Sequence, residues 1–361
     1  MDAENQQSKE LCVLCRKQEV DHAENPASRL CADCRGEKVR MRAPRWAEFL
    51  MVLVCLLAVY AVRQTPAALN DVRMLEQGHA HFEAREYQYA FERYAPLLAR
   101  YPNNLNLAVQ AIDAAVKAQW SGSAYEVLNE FIVDRQLPDD IYRAVDPNAQ
   151  YLFRFVDTYV AITEGYGSID AAAGEDMEPE ERRALYVAML NELLEDPEAE
   201  KAMLYYHLAH FQEDRAEHER YLRLASEAEP RVTYPLAQLG NARRTAGHIE
   251  EARALYARAL EHNALDAGAL RGQAVLLLLE GKPQDALVLV RKAYSLDPLL
   301  QWMPEALYTA LLENGLREEA ETIRQIAEES GYVFDLDGTH TRYANGEITV
   351  AQIYLDPEVE L

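Results

Sequence analysis

Four of the five cysteines stand as two Cys-x-x-Cys pairs, Cys12 with Cys15 and Cys31 with Cys34, separated by fifteen residues. A two-residue spacer lets both sulfurs of a pair face one ion, and this separation falls within the range of four-thiolate zinc sites. The spacing predicts a structural Zn2+ held by Cys12, Cys15, Cys31 and Cys34, because four protein ligands leave no open coordination position for catalysis. Disulfides and a redox dithiol compete with this reading, but a dithiol needs a βαβ setting for which about forty residues leave no room. So short a segment has little core and is expected to fold with its metal bound. His207 and His210, three residues apart, form a second pair of metal-binding groups. With no third ligand evident they are read as polar groups that face a partner.

Within residues 1–36 the two pairs resemble zinc ribbons and related small four-cysteine fingers, although Arg16 follows the first pair and Arg35-Gly36 the second where most ribbons carry a glycine. A second motif resembles that of an enzyme family. Val333-Phe-Asp335-Leu-Asp337-Gly338-Thr339 reproduces the first motif of haloacid-dehalogenase-like phosphatases, in which the two aspartates serve as nucleophile and acid/base. In that family the motif opens a domain, and the phosphate- and magnesium-binding groups follow far downstream. Only 22 residues follow Thr339 here, so phosphoryl transfer has no room for its positioning groups and the chain is read as no enzyme. The stretch is assigned instead to an antiparallel β-meander over 332–361, with turns at Asp337-Gly338 and Asn345-Gly346, two strong hairpin dipeptides.

The elements that carry these groups differ sharply along the chain. Trp46 to Val62 is apolar, without interruption from Phe49 onward, and Arg45 and Arg63 flank it. Fourteen apolar residues make a helix of about 21 Å, short against a hydrocarbon layer of about 30 Å, yet flanking arginines that snorkel extend its reach. This predicts a transmembrane helix over 46–64. The basic segment 37–45 precedes it, and the positive-inside rule puts the N-terminus in the cytoplasm and the rest outside the cell membrane. A net charge of -24, concentrated after this segment, argues against nucleic acid as a partner.

From Asn70 onward the pattern is helical and periodic. Windows of 34 residues starting at Thr233, Ala267 and Gln301 place Ala252, Ala286 and Ala320 at one position, and Ala259, Ala293 and Ala327 seven residues later. Gly247, Gly281 and Gly315 fall at the turn between two helices. Small residues at these places let neighbouring helices approach closely, and the glycine ends the first helix of each pair. Period and alanine positions together resemble the tetratricopeptide repeat family. Extended backwards, the frame gives 199–232, with His218 where the small alanine belongs, an irregular 139–198, and 105–138 and 71–104. The complete set of repeats is then 71–104, 105–138, 139–198, 199–232, 233–266, 267–300 and 301–334, within a domain 70–331.

The resemblance implies an all-α, right-handed helical solenoid whose concave groove, lined by the first helix of each pair, holds a peptide or protein partner. Carried over position by position, it makes His207, His210, Asn241, Arg244, Arg271, Trp302 and Glu305 the partner-binding candidates. A carboxylate clamp is disfavoured, since Ala237 and Gly272 stand where polar anchors belong. The expected protein is thus a bacterial single-pass membrane scaffold for protein–protein interaction, with a zinc head. The alternative is a transmembrane sensor or enzyme-accessory subunit that couples the repeat domain to that head.

Overall fold

A computed structural model describes residues 10–23, 26–39, 45–173 and 177–357. The described residues divide into two compact units, 1–70 and 71–361. In the first, a small loop structure carrying the two cysteine pairs leads into α1 (Ala32–Val39), and α2 (Arg45–Glu83) begins. In the second, helices follow one another as α3 (Tyr87–Arg100), α4 (Leu105–Lys117), α5 (Ser121–Phe131), α6 (Asp139–Ala173) and α7 (Pro179–Leu194). Next come α8 (Lys201–His210), α9 (Arg215–Ala228), α10 (Tyr234–Thr245), α11 (Ile249–His262), α12 (Ala267–Leu279) and α13 (Pro283–Leu296). The chain closes with α14 (Met303–Glu313), α15 (Arg317–Glu329), α16 (Thr339–Ala344) and α17 (Val350–Tyr354).

Two expectations are corrected here. Among the described residues no helix is long and apolar enough to cross a membrane, which removes the transmembrane helix over 46–64. The cell-membrane location, with a cytoplasmic N-terminus and external repeats, falls with it. The physical reason lies in length and context: the apolar run is the early part of a 39-residue helix whose later turns carry Asn70, Asp71, Arg73 and Glu76. Most of the basic segment 37–45, namely 40–44, lies outside the described residues.

The β-meander is also replaced. No β-strand occurs among the described residues, and 332–357 forms turns and the short helices α16 and α17; the last four residues lie outside the described set. The Asp-Gly and Asn-Gly dipeptides supply left-handed glycines, Gly338 at φ 73° and Gly346 at φ 76°, but these begin and end α16. Asp335 accepts from the backbone N–H of His340 at 2.6 Å and of Thr341 at 2.8 Å. A carboxylate that satisfies the free N–H groups of a first helical turn favours helix over strand. This also accounts for the phosphatase-like motif, whose first aspartate is occupied in holding the helix start.

From α10 to α15 the second unit is built of paired helices. Ala252, Ala286 and Ala320 are fully buried, as are Ala90 and Ala124 at the same position of the first two windows. Gly247, Gly281 and Gly315 take φ of 80°, 71° and 73° at the turns inside their pairs. In the first two windows Arg85 and Gln119 hold this left-handed position, at φ 60° and 64°, without the help of a glycine. Tyr256 is a packing centre, fully buried with Gly240 and Gly272 against its ring. Tyr94 makes the corresponding contact with Gly78. At 139–198 the helix runs on through Gly165 and Gly167 to Ala173.

The helix pairs do not touch only their neighbours. Arg85 donates to the Glu261 carbonyl, Ala264 N–H donates to the Arg85 carbonyl at 3.0 Å, and Gln88 donates to the Leu265 carbonyl at 3.3 Å. The Gln119 amide oxygen accepts from the N–H groups of Thr233 and Tyr234, both at 3.2 Å. The start of the repeat unit is therefore held against the connections before α10 and α12.

Candidate functional site

In the first unit the four sulfurs of Cys12, Cys15, Cys31 and Cys34 lie within 4.8 Å of one another. Local hydrogen bonds explain the convergence. The first pair sits on a tight turn in which Arg16 N–H donates to the Cys12 carbonyl at 2.9 Å and Cys12 N–H to the Gln18 carbonyl at 2.8 Å. An antiparallel bridge between Leu11 and Glu19 closes the turn. The second pair straddles the start of α1, where Arg35 N–H donates to the Cys31 carbonyl at 2.9 Å. Val13 N–H donates to the Arg29 carbonyl at 3.0 Å, joining the two halves.

The donor set suits a tetrahedral ion. Zinc–sulfur bonds of about 2.3 Å put neighbouring sulfurs about 3.8 Å apart; Cys15 Sγ and Cys31 Sγ are separated by 3.7 Å. All four are free thiols, and Cys12, Cys31 and Cys34 are buried. Backbone N–H groups of Cys15 and Cys31 pull the Cys12 thiol down to about 6. Its counterpart Cys34 is pushed up to about 12, by its bond to Cys31 and then by burial. Crowded thiols ionise unequally because each new thiolate repels the next, and a divalent cation removes that repulsion. His22 stands apart from the cluster, with its Nδ1 at 3.1 Å from the Pro26 carbonyl.

In the second unit the helices α10, α12 and α14, each the first of its pair, present one side to a cavity of about 380 Å³. Asn241, Arg244, Arg271, Trp302 and Glu305 all line it. Arg271 is 7% exposed and donates to the Gln301 carbonyl, and burial pushes its guanidinium below the ordinary arginine range. Glu305 is 1% exposed; it accepts from the Tyr332 hydroxyl at 2.8 Å and from Asp335 N–H at 3.3 Å. Trp302 is 42% exposed and adopts the left-handed region at φ 63°.

His207 and His210 do not line this cavity. The Tyr166 hydroxyl lies 3.1 Å from His207 Nδ1, and His210 Nδ1 lies 2.9 Å from the Tyr206 carbonyl. Burial lowers the pKa of His207. The sequence reading missed the other wall of the cavity: Asp337, Thr339, His340, Ile353 and Tyr354, which come from 332–357. No local signal marks them, since Tyr354 meets its partner Arg244 across 110 residues.

The fold and site define an all-helical repeat protein with a four-cysteine cluster in a separate unit. No protein-family model matches the chain, and no curated protein matches it. Among solved structures, "MamA AMB-1" is 18% identical, with a TM-score of 0.29, covering 50% of this chain and 96% of its own. "MamA MSR-1" is 18% identical, with a TM-score of 0.30, covering 48% of this chain and 99% of its own. At these values nothing of MamA is carried over to this chain.

Proposed function

We propose that the protein is a non-enzymatic binding scaffold whose second unit takes a peptide or protein partner in the cavity between α10, α12 and α14. The observation that carries this reading is the lining itself. Two arginines, an asparagine and a half-exposed tryptophan converge on one concave space in a domain that is otherwise strongly acidic. Exposed tryptophan and arginine concentrate binding energy at protein interfaces. Desolvated guanidinium groups form strong, directed hydrogen bonds to carbonyl and carboxylate oxygens.

The four-cysteine cluster is assigned to structural zinc, with Cys12, Cys15, Cys31 and Cys34 as its ligands. Bound there, the ion would crosslink a segment too small to fold on apolar burial alone.

Affinity capture with the full chain, compared with Trp302→Ala and Arg271→Met variants, tests the groove. Capture of specific partners is expected to fall by about tenfold for Trp302→Ala, in line with loss of an interface anchor. Equal capture by wild-type and both variants, with unchanged circular dichroism, would overturn the assignment of this cavity.

A further inference from the structure

Part of the groove built by α10, α12 and α14 is already covered, since Ile353 and Tyr354 form one wall of the cavity. Four contacts place the end of the chain across the C-terminal end of α10. Arg244 donates to the Tyr354 carbonyl, and its guanidinium lies 5.5 Å from the Tyr354 ring centre. Asp356 N–H donates to the Thr245 carbonyl at 2.9 Å, one of the carbonyls left without a helical partner where α10 ends. The Asp356 carboxylate pairs with Arg215. Leu355 between them is 6% exposed.

None of these interactions depends on Val350–Asp356 belonging to the same chain. A backbone carbonyl meets an arginine, a backbone N–H meets a free helix carbonyl, and an acidic side chain meets a second arginine. Any peptide with an aromatic residue, an apolar residue and an acidic residue in succession offers the same groups. The charges around the cavity favour such a ligand: Arg244 and Arg271 line it and Arg215 pairs with the Asp356 carboxylate, while Glu305 is engaged with Tyr332 and Asp335, and Asp337 with Thr339 N–H at 3.0 Å.

The hold rests on one buried residue: Leu355 is buried, Val350 and Tyr354 are partly buried against the core of α12 to α15, and no residue of α17 itself is fully buried. Four residues, Gly346 to Thr349, join α17 to the end of α16 after Asn345. A segment with little buried apolar area opens locally at low free energy. Resting on the reading of this cavity as a partner groove, we propose that Val350–Asp356 is a built-in competitor that occupies the groove until a partner displaces it. The partner is a peptide segment of aromatic–apolar–acidic character.

The test uses the full chain and a fluorescent synthetic peptide of residues 348–357. Tyr354→Ala with Asp356→Lys loosens the internal segment while leaving the side of the groove built by α10, α12 and α14 unchanged. Since a tethered occupant lowers the competent fraction of sites, the loosened chain is expected to bind the peptide about tenfold or more tighter than wild type. Adding Arg244→Ala to that variant should abolish the gain. A second measurement needs no variant: excess peptide should speed hydrogen exchange at the Asp356 amide of the wild-type chain. Equal peptide affinity of loosened and wild-type chains, or an Asp356 amide indifferent to peptide, would overturn the proposal. Either result would leave the groove assignment standing if Trp302→Ala still lowers partner capture, so the two readings fail separately.

Discussion

Replacing Gly272 by alanine sets two effects against each other at one atom. An alanine in mid-helix is favoured over glycine by about 1 kcal/mol. Against this, a Cβ at 272 would stand 2.3 Å from both Cε1 and Cζ of Tyr256. The ring cannot swing aside, because Tyr256 is fully buried, its hydroxyl is held by Asn241 Oδ1 at 2.8 Å, and Gly240 also stands against its Cδ1–Cε1 edge. Overpacking of this severity costs about 3 kcal/mol, the upper part of the usual range. The net expectation for Gly272→Ala is a loss of about 2 kcal/mol, or about 3 °C in Tm for a domain of this size. Gly122→Ala is the internal control: Gly122 lies in α5 with nothing within 4 Å of the new methyl, and the change should be neutral or stabilising by up to about 1 kcal/mol. Urea unfolding followed by circular dichroism measures both. A Gly272→Ala chain as stable as wild type would refute the claim that Tyr256 packs tightly against Gly272.

Three further outcomes are expected. The purified chain should carry one zinc ion, and Co2+ in its place should show thiolate-to-cobalt absorption that Cys12→Ser weakens; a spectrum unchanged by that substitution would remove Cys12 from the site. Burial pushes His207 and His340 below the ordinary histidine range. The unfolded chain then binds protons first, so this contribution is complete above about pH 6.5 and lost as pH falls toward the folded values. Unfolding at pH 7.5 and 5.5 should show the decline, and His340→Gln should flatten it; an unchanged slope would refute the assignment of His340. Gln119→Ala strands the N–H groups of Thr233 and Tyr234 and should cost about 2–3 kcal/mol, whereas a change under about 0.5 kcal/mol would mean that this contact contributes little.

What the sequence made legible was local. Cysteine spacing, the alanines at 34-residue intervals and the turn glycines each act within one turn or one helix pair, so their consequences can be read without knowing the fold. Arg85 and Gln119 hold the same left-handed turn position but escape a search for glycine, because long-range bonds to 261–266 and 233–234 stabilise them there. Asp337-Gly338 and Asn345-Gly346 misled for a related reason: a left-handed glycine serves a hairpin or a helix end equally, and the cap from Asp335 decides between them. Hydropathy of the fourteen residues from Phe49 to Val62 gave a span when read alone, but these residues belong to a helix that continues with polar composition. Five of the groove candidates share one cavity because repeat geometry places them, while His207 and His210 lie elsewhere, beside Tyr166 and Tyr206.

Repeat proteins commonly evolve by gaining or losing whole units, since each unit needs only its neighbours. The bonds from Arg85, Gln88 and Gln119 to 233–265 withdraw that freedom here. A 34-residue unit added between 139 and 232 would carry Thr233 away from Gln119 and leave buried polar groups without partners on both sides. The length of chain between Gln119 and Thr233 is thereby fixed by side-chain chemistry, and α6 and α7 lie within it.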